Sequence, residues 1–555
     1  MLRGAACCLT LLLIALIVGA SHAPYAQNPA PSSQASVPAP SASEGATKQP
    51  TTSAPSLEEA QQLYLAGKFD KAVDRYYAIV ANDPGNSDAY VGLARAYLKV
   101  GKPADAYVAA TKSIQQNSSL ASAHSALGEV YFRQGKPDQA LEEFLAASKL
   151  SETDARAYLG LSRVYQATYD FRKAKLAIDR AYSLDPADPD IADAWIDTRP
   201  RAEQIKDLQD KIAARSNYYS RGERAGFRQR LNLLDDQVQH PERTCRLVSP
   251  TDNALLTLAT VGPKKEFISV PSQVNGVAAR LVLSTVSSGI VINRKIAEDA
   301  KVLPVARADL DALGEQNPPE VYIGFAPILK LQDLEFQDCY VTVIEKAAPN
   351  SFYEQFDGSI AGGFFSGYGY LFQVDIPNRT LQLQSLQARP SQEDQNSSID
   401  SSDPDARNFH DRYVAPEMGA WARMYRFGSA ILIPVAVNSS PPELFEVASS
   451  SEFNLLSPDF AQKWAVLGAG KKMESAGLEG VNGRVSTPVS GKATFDFAGF
   501  HLNKVRVLSV DDARSSEAAG TQVSGFLGFE LLRNFRITID YRDGLIHFES
   551  SQRSP

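Results

Sequence analysis

VNGVAARLVLSTVSSGIVIN, residues 274–293, decides the reading of the second half of this chain. Asn275-Gly276 is a two-residue hairpin signal, and the apolar run after it reads as a strand that ends in the small polar cluster Ser284-Thr285-Val286-Ser287-Ser288. A second stretch, LFEVASSSEFNLLS at 444–457, repeats the pattern: a strand, then Ala448-Ser449-Ser450-Ser451-Glu452, then a new apolar segment. Each stretch continues as an apolar segment and a short helix, at 290–297 and 455–461, and each half closes on an apolar-apolar-Gly element before a strand. Those elements are Ile360-Ala361-Gly362 ahead of 372–381 and Phe526-Leu527-Gly528 ahead of 535–541. A polar linker at 388–420 separates the two halves.

Upstream the periodicity changes from alternating to helical. Gly67, Gly101 and Gly135 stand 34 residues apart, Ala72, Ala106, Ala140 and Ala174 keep the same step, and so do Leu93, Leu127 and Leu161. A small residue at fixed phase lets two antiparallel helices approach, and the glycine turns the chain between them. Pro84 and Pro186, three steps apart, stop second helices. The fourth repeat has Tyr169 in place of the turn glycine. Residues 191–246 read as a helical cap and connector.

The chain has 555 residues, enough for three or four folded units, with 56 basic against 64 acidic side chains and a net charge of −8. No basic run is dense enough to neutralise a phosphate backbone, so nucleic acid is not an expected partner. Residues 1–26 place Arg3 before an apolar run and small residues, the layout of a secretory signal peptide, and imply a secreted or periplasmic protein without stable membrane insertion after cleavage. An uncleaved anchor is the alternative. Residues 27–56 have the Pro/Ser/Ala/Thr composition of a disordered tether. Beyond the signal only Cys245 and Cys339 remain, and they either pair or sit apart as small hydrophobes. No spacing for a metal site or a cofactor is present.

The 34-residue unit at 57–190 resembles the tetratricopeptide repeat. That resemblance implies an α-solenoid whose concave face, lined by the first helix of each pair, holds a peptide or a partner's helix. The matching positions are Arg95, Lys99, Glu129, Arg133 and Arg163, and the alternative for them is a solvated helix face. Tyr90, Tyr97, Tyr131, Tyr158 and Tyr165 occupy inter-helix packing positions.

The paired stretches at 247–387 and 421–552 resemble the two lobes of a retropepsin-like or pepsin-like aspartic peptidase. The fold class is therefore multidomain α + β, a solenoid followed by a two-lobed all-β domain. In that family each lobe supplies an Asp-Thr-Gly loop. Here Ser284 and Ala448 stand at the two aspartate positions, and Val286 and Ser450 at the glycine positions. Two carboxylates roughly 3 Å apart share one proton and divide the acid and base roles toward water; a hydroxyl and a methyl group have no such proton to share. None of His22, His124, His240, His410, His501 and His547 stands in a triad context for Ser284, and Asp375 and Asp540 read as turn-stabilising groups.

The expected protein is thus an exported, non-catalytic peptide-binding or scaffold protein, monomeric, with protein or peptide ligands in the repeat groove and between the lobes. The alternatives are an aspartic endopeptidase with atypical catalytic groups and a purely structural assembly module.

Overall fold

The structure is a computed structural model that describes residues 56–550, apart from 215, 220, 250, 263–266, 286–288, 308–319, 348–351, 388, 390–409, 429, 465–488 and 511–512. Signal, tether and Val286 lie outside the described residues. The chain divides into two compact units. One holds the described residues up to Arg199 together with Gln209–Ser220; the other holds Pro200–Leu208 and the chain from Arg221 onward.

The helical unit is built of antiparallel pairs. They are α1 (Leu57–Leu65) with α2 (Phe69–Asn82), α3 (Ser87–Lys99) with α4 (Pro103–Gln116), α5 (Ala121–Arg133) with α6 (Pro137–Leu150), and α7 (Ala155–Ala167) with α8 (Phe171–Leu184); α9 (Pro189–Ile196) follows. The four turn positions share one left-handed conformation, with φ of 70°, 72° and 71° at Gly67, Gly101 and Gly135. Tyr169 adopts φ 65° in the fourth, so the turn persists without glycine there. Its ring is almost fully buried and packs edge-on against Phe171, apolar burial that offsets the backbone strain. Between repeats, the Phe144 ring of α6 lies where Cβ atoms on Gly128 of α5 and Gly160 of α7 would stand, at 2.7 and 2.1 Å. Glycine at those two positions lets one aromatic ring bridge successive pairs. Tyr90 and Tyr97 are buried, and Tyr131, Tyr158 and Tyr165 are half-buried against the Phe144 cluster, so these tyrosines do pack.

α10 (Arg201–Ala214) is divided between the units after Leu208, and in the second unit α11 (Arg221–Gln239) precedes the sheets. Leu233 of α11 packs on Ala306, Ile323 and Tyr340, and the Tyr340 hydroxyl donates to Asp236 at 2.6 Å. Cys245, just beyond, is disulfide-bonded to Cys339.

Among the described residues the β-rich region forms three sheets. A nine-stranded sheet comes from the first half and a seven-stranded sheet from the second. The hairpin read from Asn275-Gly276 is present, pairing Phe267–Val274 with Val277–Ser284, with φ of 48° and 84° at its two turn residues. The two halves repeat one motif. Strand Val277–Ser284 lies parallel to Gly358–Ala361, and strand Glu443–Ala448 lies parallel to Gly525–Gly528. The third sheet draws on both halves, in the order Ala422–Arg423, Leu545–Ser550, Phe535–Asp540, Tyr370–Asp375, Thr380–Ser385, Asn253–Thr257. Its central antiparallel contact joins the closing strands of the two halves, with Gln373 opposite Thr538 and a 3.0 Å side-chain hydrogen bond between them.

Candidate functional site

The two repeated motifs bring the ends of strands Val277–Ser284 and Glu443–Ala448 face to face. Each strand delivers its last residue into a buried position because a parallel neighbour holds it in register, Ala361 opposite Ser284 and Gly528 opposite Ala448. The hydrogen bonds across the junction are reciprocal. The Thr285 hydroxyl donates to the Val447 carbonyl and accepts from the Ser449 amide at 3.0 Å. In return the Ser449 hydroxyl donates to the Leu283 carbonyl at 2.8 Å. Each loop therefore satisfies the backbone of the other, and all four groups are buried, where an unmet donor or acceptor costs about 1–3 kcal/mol.

At the centre the Ser284 and Ser450 hydroxyl oxygens are 2.9 Å apart. The side chain facing Ser284 is Ser450, two residues beyond the end of its strand, while Ala448 adds only a buried methyl group. Among the described residues the side-chain oxygens gathered here belong to hydroxyls: Ser284, Thr285, Ser449 and Ser450. Such a set donates and accepts hydrogen bonds but stores no negative charge near neutral pH, so it cannot act as base toward a water molecule.

Asp375 and Asp540 are occupied in turns. Asp375 accepts from the Asn378 amide and side chain and from the Arg536 guanidinium at 2.8 and 2.9 Å. Burial pushes its carboxyl up, and those bonds and the Arg536 charge outweigh burial and hold it below the usual range. Asp540 accepts from the amides of Arg542 and Asp543, and its carboxyl is pushed up by burial and then by Asp543. Among the histidines, His124 bonds Glu143 and the Ser118 carbonyl, His240 bonds Glu242, and His501 bonds Asp496.

The repeat face holds a second constellation, and it differs from a row of free charges. Arg95 Nε donates to Glu129 at 3.1 Å, and the other Glu129 oxygen lies 3.8 Å from Arg156. Arg156 donates to Asp188 at 2.6 Å and to Asp190 at 3.1 Å. Lys99 closes the chain on Asp190 at 2.8 Å. Burial lowers the Arg156 pKa, but Glu129, Asp190, Tyr64 and Asp188 together raise it well above its ordinary value. For Asp190 burial favours the neutral acid, and Arg156, Lys99 and Arg163 overcome it, so the carboxyl stays far below the usual range. Of the five positions read from the sequence, Arg95, Lys99 and Glu129 belong to this network and Arg163 contributes its charge to Asp190. Arg133 sits half-buried in the last turn of α5, next to the helix C-terminus that favours a cation.

Arg156, Asp188 and Asp190 were not among the positions read from the sequence. The signal was available: Arg95 and Glu129 are 34 residues apart, as are Arg156 and Asp190. Opposite charges one repeat apart lie side by side on stacked helices and pair. One donor stays open, since Arg95 Nη2 is buried without a hydrogen-bond partner among the described residues.

Comparison with known proteins fits the helical unit. Tetratricopeptide repeat models match residues 63–127 and 125–189. The mouse DnaJ homolog subfamily C member 3 is 28% identical over 141 residues, 25% of this chain and 27% of that protein; its human counterpart is 32% identical over 98 residues, 18% and 19%. The matched segment thus spans about a quarter or less of these relatives. Among solved structures, a thermophilic TPR protein of Thermus thermophilus is 21% identical, covering 28% of this chain and 88% of that one with a TM-score of 0.25. The second TPR domain of human RPAP3, in complex with the HSP70 peptide SGPTIEEVD, is 25% identical and covers 19% of this chain and 89% of its own, with a TM-score of 0.18. Residues 63–189 form a tetratricopeptide repeat array.

Proposed function

We propose that this chain is an exported, non-catalytic protein that binds peptides or proteins, pairing a tetratricopeptide repeat array with a two-lobed aspartic-peptidase-like domain that has lost its chemistry. The observation that carries the proposal is the buried junction of hydroxyls at Ser284, Thr285, Ser449 and Ser450. Its reciprocal bonding holds two strand ends together as a catalytic pair of loops would be held, with no carboxylate at either aspartate position.

Three further features favour this reading. Repeat arrays of this kind suggest protein interaction, and the buried, unpaired Arg95 Nη2 offers a ligand carbonyl or carboxylate a donor. The Cys245–Cys339 disulfide fits an oxidising compartment and so the signal peptide. The sheet assembled from strands of both halves supports a monomer, since one chain then supplies both lobes. Peptides bind the repeat face, and the space between the lobes serves as a second place for an extended segment.

The purified full chain, incubated with unfolded casein from pH 3 to 7, is expected to leave it uncut while retaining members of a random peptide array. Pepstatin-sensitive cleavage overturns the non-catalytic reading. An array on which no peptide is retained overturns the binding reading.

A further inference from the structure

The turn of the first repeat is covered by a distant part of the chain. Gly67 and Gly101 occupy equivalent turns with nearly equal φ, yet a Cβ at Gly101 would meet nothing within 4 Å, whereas one at Gly67 would lie 2.2 Å from the Asn217 carbonyl oxygen. Asn217 and Tyr218 belong to Gln209–Ser220, the segment that joins the helical unit although the residues on both sides of it belong to the other unit.

Tyr218 is the anchor. Its buried ring packs edge-on against Phe69 at 5.6 Å and Tyr64 at 6.4 Å, and the Lys99 ammonium stands 4.6 Å from its centroid. The same Lys99 ammonium is bonded to Asp190. The seat therefore recognises three things at once: an aromatic ring, by edge contacts and a cation; a carboxylate beside it, by Lys99 and Arg156; and a backbone passing close over a residue with no side chain. Those are features of a peptide ligand, supplied here from within.

We propose that the seat formed by Tyr64, Gly67, Phe69 and Lys99 is a docking site for a partner peptide carrying a tyrosine next to a carboxylate, and that Tyr218 and Asp190 occupy it as internal substitutes. The proposal rests on the peptide-binding reading above and names the site and ligand class for it. A partner competes with a tethered segment, so its apparent affinity is reduced by the fraction of molecules in which the seat is empty. Partners that present both groups displace the segment; those with only one do not.

The test uses the full chain and a fluorescein-labelled peptide AARSNYYSRG, the sequence of residues 213–222, which supplies the ring while Asp190 still fills the carboxylate place on Lys99. In fluorescence anisotropy Tyr218→Ala is expected to bind this peptide at least about tenfold more tightly than wild type. Tyr218→Ala combined with Phe69→Ala loses the gain, as does a peptide whose first tyrosine is alanine. Equal affinity for wild type and a folded Tyr218→Ala overturns the proposal; retention of unrelated array peptides would then leave the broader binding reading intact. A second pair of variants covers the case in which Tyr218→Ala does not fold. Gly67→Ala and Gly101→Ala impose the same backbone strain, but only the first collides with Asn217. Native-state chymotrypsin cleavage after Tyr218 or Tyr219 should accelerate about tenfold in Gly67→Ala and stay within about twofold of wild type in Gly101→Ala. Equal rates for the two variants overturn the proposal.

Discussion

Replacing Arg156 with methionine separates a structural charge network from a set of free ligand-binding charges. The guanidinium bridges Glu129, Asp188 and Asp190, whose side chains are 10, 10 and 13% exposed. Methionine keeps the apolar stem and removes the charge, leaving three nearly buried carboxylates facing one another, with Lys99 the cation still bonded to Asp190. Breaking a buried ion pair from one side costs about 3–5 kcal/mol. For a unit of this size that lowers the midpoint of thermal unfolding by on the order of 10 °C. Trp195, stacked on Tyr182 at 3.8 Å, reports on the helical unit alone once Trp421 and Trp464 are replaced by phenylalanine. The pH response should also reverse. In the wild type Asp190 has a depressed carboxyl, so its contribution is present above its unfolded pKa of about 3.9 and fades as pH falls below that. In the variant the crowded carboxylates gain from protonation, so stability rises as pH is lowered from 7 toward 4. A loss below about 1 kcal/mol with no change in pH response would refute the reasoning and return these charges to the solvent.

Other perturbations reach the second unit. Opening the Cys245–Cys339 bond, by reductant or as the double serine variant, frees a loop of 94 residues and should cost up to about 4.7 kcal/mol in urea unfolding; an unchanged midpoint would show that the loop is already constrained in the unfolded chain. Thr285→Val strips the partner from the Ser449 amide and the Val447 carbonyl and should cost about 2–5 kcal/mol, while Thr285→Ser stays within about 1 kcal/mol; equal losses would exclude the hydroxyl as the cause. Burial, and then the nearby Arg389 charge, push the His410 imidazole down to about 4. Its stabilising contribution is therefore complete above about pH 6.5 and lost as pH falls through 4, about 3 kcal/mol in all. Denaturant titrations of His410→Gln across that window should show a correspondingly shallower acid slope, and an unchanged slope would assign the loss to other groups.

The solenoid was legible because its step is carried by residues whose size or backbone freedom the helix pairs require, such as Ala72, Ala106 and Gly135. Even Tyr169, which breaks the pattern, keeps the left-handed turn. The hairpin at Asn275-Gly276 and the hydroxyl cluster after Ser284 were equally plain, since a tight turn and a buried strand end constrain residue type locally. What stayed hidden depends on distance in space. A face of charges at helical spacing reads the same whether it meets solvent or its own counterions, and only the 34-residue offset between opposite signs, unused in that reading, marks Arg95 and Arg156 as paired. Tyr218 carries no local mark at all, because its role comes from Gly67, 151 positions earlier. The cysteine pairing was open for the same reason. Ser450 as the partner of Ser284 required the geometry of two loops, which no single stretch encodes.

The sheet in which three strands of the second half abut three of the first also bears on how the protein is born. Strand Tyr370–Asp375 must wait for Phe535–Asp540, a gap of 165 residues between the hydrogen-bonded Gln373 and Thr538. At ordinary ribosomal speeds of 5–20 residues per second, that is a delay of roughly ten to thirty seconds. Throughout it the nascent first half carries an unfinished, adhesive margin. Fragments ending near residue 387 would hold that margin permanently, so attempts to express the first lobe alone should yield aggregates that co-translation with residues 410–555 dissolves.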